Sequence, residues 1–263
     1  MHVAAFIFRT GLAVLLTTFG ALAQGQPAKT APAFEPSVGQ QGKDVIWVPT
    51  PQALVDKMLD MAKVTPKDNV IDLGSGDGRT VITAAKRGVR ALGIEYNQDM
   101  VELSKRSAEK EGVAGRATFV KADLFESDFS KATVITMFLL PDINLKLRPK
   151  ILGLKPGTRI VSNTFTMGEW EADETATVSE GCGSSWCTAL LWIVPAKVEG
   201  TYKVDQGTVT LKQQFQMLSG TLNSEGKSVE LKGKVTGEDV VFQAGGREYR
   251  GRMNGKRLEL RQG

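Results

Sequence analysis

Val70-Ile71-Asp72-Leu73-Gly74-Ser75-Gly76-Asp77-Gly78-Arg79 decides how the rest of this chain is read. An apolar run closes on an acid, three glycines follow at alternate positions, and a helical pattern begins at Thr80. This predicts a buried parallel strand, a tight loop and a helix N-terminus. Glycine leaves no Cβ between the backbone N–H groups and a ligand. The helix behind the loop turns its positive end toward the same place. A nucleoside-type ligand site is the first expectation.

Strands and helices alternate outward from that loop. A helix is predicted from Gln52 to Lys63, with Leu54, Val55, Met58, Leu59 and Ala62 as its apolar stripe. Strands are expected at Ala91–Glu95, Ala117–Lys121, Val134–Phe138 and Arg159–Asn163, with helices at Asp99–Glu111 and Ile143–Leu152 between them. This is the pattern of an α/β domain with a largely parallel sheet. Ala176–Val178 and Thr188–Val194 read as an antiparallel pair closing it. After Pro195 the helical period stops. Seven short alternating strands, separated by Gly-containing turns, predict a small all-β meander or barrel.

The first residues look like a targeting segment. Arg9 precedes an apolar run from Gly11 to Leu22, and Ala21-Leu22-Ala23 suits cleavage by a signal peptidase. A signal peptide over residues 1–23 and an exported, periplasmic or secreted protein are expected, with an uncleaved membrane anchor as the alternative. Residues 24–46 are rich in Gln, Pro, Ala and Gly and are expected to form a flexible lead-in. The expected domains are then 47–195 and 196–263.

The single histidine, His2, falls inside the signal. A processed chain would have none, which excludes Ser-His-Asp and Cys-His catalysis and His-ligated metals. No metal site is expected. Cys182 and Cys187 stand five apart, too few for zinc and wrongly spaced for a C-x-x-C redox pair. A disulfide stapling a hairpin loop is the first reading, two inert thiols the second, a catalytic thiol the third. Residues 24–196 hold 20 basic and 21 acidic groups, whereas 197–263 hold 12 and 8. A solvated strand face explains that basic excess; contact with an anionic membrane surface is the functional alternative.

An acid ending the second strand, Glu95, suits the ribose hydroxyls of a nucleoside ligand. The third glycine is one residue early for the dinucleotide fingerprint, and the Walker lysine is missing. The loop, Glu95, and Asp123 in Lys121-Ala122-Asp123-Leu124-Phe125 together resemble the class I S-adenosylmethionine-dependent methyltransferases. The likeness runs from about Trp47 to Val194. It implies a Rossmann-like seven-stranded sheet with the last strand antiparallel, and S-adenosylmethionine as methyl donor. It also implies donor contacts from Asp72, Gly74, Ser75, Gly76, Gly78, Glu95, Asp123 and Leu124. Asp77 is either a helix cap or a contact to the methionine part.

Trp47-Val48-Pro49-Thr50-Pro51 and Gly93-Ile94-Glu95-Tyr96-Asn97 narrow the resemblance to the small protein-lysine methyltransferases related to mitochondrial enzymes acting on the adenine nucleotide carrier and on an ATP synthase component. That group implies a protein substrate and a segment, here Val48, Pro49 and Thr50, folded over the donor. The Asn/Asp-Pro-Pro-aromatic motif of nucleic-acid amino methyltransferases is absent, so no nucleic-acid partner is expected. Pro141 and Asn144 are the candidates for the acceptor side, and Asp142 and Glu169 for a proton acceptor. An exported module that keeps the fold without turnover is the alternative function.

Overall fold

In the computed structural model the described residues are 34–183 and 185–262, together with Met1, His2 and Ala4. The rest of the predicted signal segment, the first part of the lead-in, Ser184 and Gly263 lie outside them. Residues 1–33 count as a separate unit, and both sheets belong to the unit that begins at Phe34.

Alternation along β1 (Asn69–Leu73) sends Val70 into one core and Ile71 and Leu73 into the other. The sheet therefore needs cover on both faces. α1 (Gln52–Met61), α2 (Arg79–Lys86) and α3 (Gln98–Lys110) supply one face, burying Leu54, Met58, Leu59, Val81 and Val101. α4 (Pro141–Leu152) supplies the other, with Ile143, Leu147 and Ile151. It starts two residues earlier than the sequence predicts, because Pro141 fits the first helical position, where no N–H is required.

The remaining strands are β2 (Arg90–Glu95), β3 (Ala117–Lys121), β4 (Val134–Met137), β5 (Arg159–Asn163), β6 (Glu174–Thr177) and β7 (Thr188–Ile193). Their order is β3-β2-β1-β4-β5-β7-β6. β1 to β5 run parallel, and β7 is antiparallel to both β5 and β6. The order reverses between β1 and β4, which opens a crevice at the C-terminal ends of those strands.

β8 (Gly200–Val204), β9 (Gly207–Gln214), β10 (Met217–Ser224), β11 (Lys227–Thr236), β12 (Asp239–Ala244), β13 (Arg247–Asn254) and β14 (Arg257–Gln262) form the second sheet, each antiparallel to the next. The sheet curls until β14 lies against β8 without joining its ladder. Glycines allow the curl: a Cβ on Gly233 would collide with the Val241 carbonyl oxygen across the ladder. Inside are Leu211, Leu231, Val240 and Phe242, whose ring stacks on Tyr249 at 5.2 Å.

The near-barrel docks on the α/β part through an aromatic contact. Phe215, between β9 and β10, stacks on fully buried Trp170 at 6.1 Å and 14°. The Gln216 side-chain amide donates to the Glu171 carbonyl (2.8 Å), and the Ala196 N–H to that of Gly237 (2.7 Å).

Candidate functional site

The crevice at the reversal point is a cleft lined from β1, β2, β4 and the loop after β3, and covered by residues 40–50. Its floor is the glycine loop. The Gly74 and Ser75 N–H groups donate to the Ile94 carbonyl (2.9 and 3.1 Å), which binds the loop to the end of β2. Gly76 adopts φ +53, and a Cβ there would meet the Trp47 indole at 2.6 Å. Trp47 thus packs directly on bare backbone, and glycine is required on both counts. Ser75 Oγ is buried without a hydrogen-bond partner among the described residues and occupies the space a side chain on Gly93 would fill, where a Cβ would meet it at 2.5 Å.

Glu95 stands at the end of β2. One of its oxygens accepts from the Gly76 N–H and the other from the Asn97 N–H, both at 2.9 Å. Asn97 caps α3, accepting from the N–H groups of Asp99 and Met100.

Asp72 is buried and meets no backbone N–H; it accepts from the Thr136 hydroxyl at 2.6 Å. Thr136 lies directly across the ladder on β4. Burial pushes the Asp72 carboxyl up to about 7, and Asp77 and Glu95 push the same way against the Thr136 hydrogen bond. Thr136 escapes the sequence reading, although a lone hydroxyl in Val134-Ile135-Thr136-Met137 signals a buried polar partner.

Asp123, after β3, accepts from the Phe125 N–H (2.9 Å) and from Lys43 Nζ (2.8 Å). The Lys43 ammonium holds the Asp123 carboxyl below its usual range. It also stands 5.4 Å from the Tyr96 ring centroid and 5.6 Å from that of Phe125. Lys43 belongs to the stretch expected to be a flexible lead-in. Instead, residues 39–47 close a turn, with Gly39 N–H donating to the Trp47 carbonyl and Trp47 N–H to that of Gln40, both at 2.8 Å. Composition hides this, because the anchoring partners come from Asp123 and the glycine loop.

Val48, Pro49 and Thr50 line the cleft as expected of a covering segment. Arg79 holds it down: its guanidinium grips Asp77 and donates to the Thr50 carbonyl at 3.0 Å. Asp77 also accepts from the Arg79 N–H at 3.3 Å, but the residue at the N-cap of α2 is Gly78, so Asp77 is not the cap.

Of the other sequence-derived candidates, Leu124 lines the cleft and Gly78 does not. A Cβ on Gly78 would collide with Phe119 and Ser104, so that glycine serves packing behind the loop. Pro141 and Asp142 are exposed at the start of α4, and Glu169 is exposed in a loop; none of the three lines the cleft. Asn144 is fully buried and donates to the carbonyls of Phe165 and Thr166. Cys182 and Cys187 form a disulfide. Among the described residues no cluster of three or more His, Cys, Asp or Glu is placed to hold a metal ion.

Comparison with known proteins gives this geometry its context. Residues 72–174 match the ANTKMT methyltransferase domain. A protein-lysine N-methyltransferase from Saccharolobus islandicus is 48% identical over 140 residues, 52% of this chain and 87% of that protein. A Homo sapiens lysine N-methyltransferase named for the ATP synthase is 33% identical over 141 residues, 53% of this chain. The match spans 59% of the human protein's length. A crystal structure of an RNA methyltransferase from Salinibacter ruber, in complex with S-adenosyl-L-homocysteine, superposes with a TM-score of 0.54 at 44% identity. It covers 57% of this chain and 96% of the Salinibacter chain. The loop, the cleft and these relatives agree: the chain belongs to the S-adenosylmethionine-dependent methyltransferases of the ANTKMT domain family.

Proposed function

We propose that this chain methylates the side-chain amine of a lysine in a protein substrate. The 48% identity to the archaeal protein-lysine N-methyltransferase, across 87% of its length, carries this reading. The cleft supports the donor side. Glu95, held by two backbone N–H groups, presents its carboxylate to the ribose hydroxyls. Asp123 and the Leu124 backbone take the adenine edge. Asp72, held by the Thr136 hydroxyl, takes the ammonium of the methionine part. Bound S-adenosylmethionine supplies a methyl group already activated on a positively charged sulfur.

The protein then has to position and to exclude water. Val48, Pro49 and Thr50, tied down by Arg79, close over the loop. The acceptor would give up a proton to become a neutral amine; its nitrogen then forms the bond to the methyl carbon as the carbon–sulfur bond breaks, and the donor leaves as the neutral thioether S-adenosylhomocysteine. Asp142 and Glu169 lie outside the cleft lining, so we assign that proton to solvent rather than to either acid.

We also place the mature protein outside the cytoplasm. The apolar run at 11–22 motivates this, and a disulfide at Cys182–Cys187 suits an oxidising compartment. A fusion reporter for export, with N-terminal sequencing, tests it; a mature chain that still begins at Met1 in the cytoplasm overturns it. The basic residues of the near-barrel are partly neutralised in place, Arg250 by Glu248 and Arg252 by Glu238 and Asp239. That favours a solvated face over a membrane-binding one.

Calorimetry with S-adenosylhomocysteine, followed by transfer from radiolabelled donor to protein and RNA fractions, tests the function. Binding with label on protein lysine is expected. No binding, or label on RNA alone, contradicts it.

A further inference from the structure

On the β4 side the cleft is bounded by Phe138, and the aromatic surface does not stop there. The Phe138 ring stacks on Phe165 (centroids 5.8 Å, interplanar angle 21°). Both rings meet Trp186, at 6.1 and 5.4 Å. Phe138 follows β4, Phe165 follows β5, and Trp186 precedes the antiparallel β7. All three therefore stand at the same edge of the sheet as the cleft.

Each ring is held in place. Phe165 follows Thr164, a non-glycine residue in the left-handed region at φ +60. Such backbone is strained and persists where its surroundings impose it. Here buried Asn144 grips the Phe165 and Thr166 carbonyls (3.3 and 3.1 Å), and Ser162 Oγ donates to that of Phe165 (2.8 Å). Trp186 sits in the loop that the Cys182–Cys187 disulfide closes. Its side chain remains 36% exposed, whereas Trp170 and Trp192 are fully buried.

We propose that Phe138, Phe165 and Trp186 form the acceptor platform of the cleft, and that the substrate lysine lies across it. This rests on the lysine reading above. The lysine methylenes cover the exposed indole, and the nitrogen points toward the cleft past Phe138. Aromatic faces suit both parts, since they shelter an apolar stem and attract an ammonium group. A nucleobase could stack on the same rings, but sequence reading of a base needs donors and acceptors at its edge. The two phenyl rings supply none, and the indole supplies a single N–H donor and no acceptor. Asn144 is then a positioning residue, acting through Phe165.

The test uses the full chain with radiolabelled S-adenosylmethionine and poly-L-lysine as acceptor, with poly(U) in parallel. Wild type is expected to methylate poly-L-lysine and not poly(U). Trp186→Ala should raise KM for poly-L-lysine about tenfold, the scale of one cation–π contact with its apolar cover, while the Kd for S-adenosylhomocysteine stays within about twofold. Trp186→Phe should recover most of the loss. The Cys182→Ser/Cys187→Ser double variant should raise KM without altering donor binding. If wild type labels poly(U) and not poly-L-lysine, the lysine reading itself fails. If wild type labels poly-L-lysine and Trp186→Ala has an unchanged KM, the platform alone is overturned.

Discussion

Asp72 has a protonation equilibrium set by its burial. In the unfolded chain its carboxyl titrates near 4; folded, it titrates at about 7. Between those values the folded state holds a proton that the unfolded state has lost. Stability contributed at this site therefore falls as pH rises through that window and is flat above it. A cationic ligand group reverses the preference and favours the ionised form. Calorimetry with S-adenosylhomocysteine should show tighter binding at about pH 8 than at about pH 5.5, with proton release in between. Asp72→Asn should flatten that pH dependence; an equally steep profile in the variant would assign the titration to another group. Glu95→Ala removes the acceptor for two backbone N–H groups as well as the proposed ribose contact, and should weaken binding by about tenfold or more, as loss of hydrogen bonds to a charged group does. The positions of these acids are legible in the sequence because each stands at or next to the end of a strand after an apolar run. Thr136 is not, because its partnership with Asp72 exists only once two strands 64 residues apart pair in register.

The covering segment is the element on which sequence and structure differ most. Its Val-Pro-Thr core reads directly, since proline stiffens it and tryptophan precedes it. The turn before it does not, because low apolar content looks mobile until Lys43 finds Asp123, 80 residues away. Both groups of that pair are exposed to solvent, which screens their attraction, so the pair adds little stability. Its consequence lies in binding. Both Asp123 oxygens are engaged in the free protein, and under the proposed donor contact an adenine amino group competes with Lys43 for this carboxylate. Lys43→Ala should therefore leave Tm nearly unchanged and tighten S-adenosylhomocysteine binding a few-fold. Weaker binding in a calorimetric titration would instead make Lys43 part of the bound-state closure.

At the scale of the whole molecule, the α/β sheet and the near-barrel share the Trp170–Phe215 contact. The strand count of both sheets is readable from alternation and turn residues. Their docking is not, because it depends on Trp170, in a loop after β5, meeting a residue between β9 and β10. Phe215→Ala removes a half-buried ring from that joint. At about 2 kcal/mol it should lower Tm by roughly 4–8 °C in scanning calorimetry; an unchanged Tm would mean that the barrel does not brace the catalytic part. The most direct test of the central claim is a mass-spectrometric map of methyl groups after incubating an envelope extract with the purified chain and trideuteromethyl S-adenosylmethionine. Label on lysine side chains, lost in Glu95→Ala, is the predicted result. Label confined to nucleic acid, or lysine label that persists unchanged in Glu95→Ala, would contradict it.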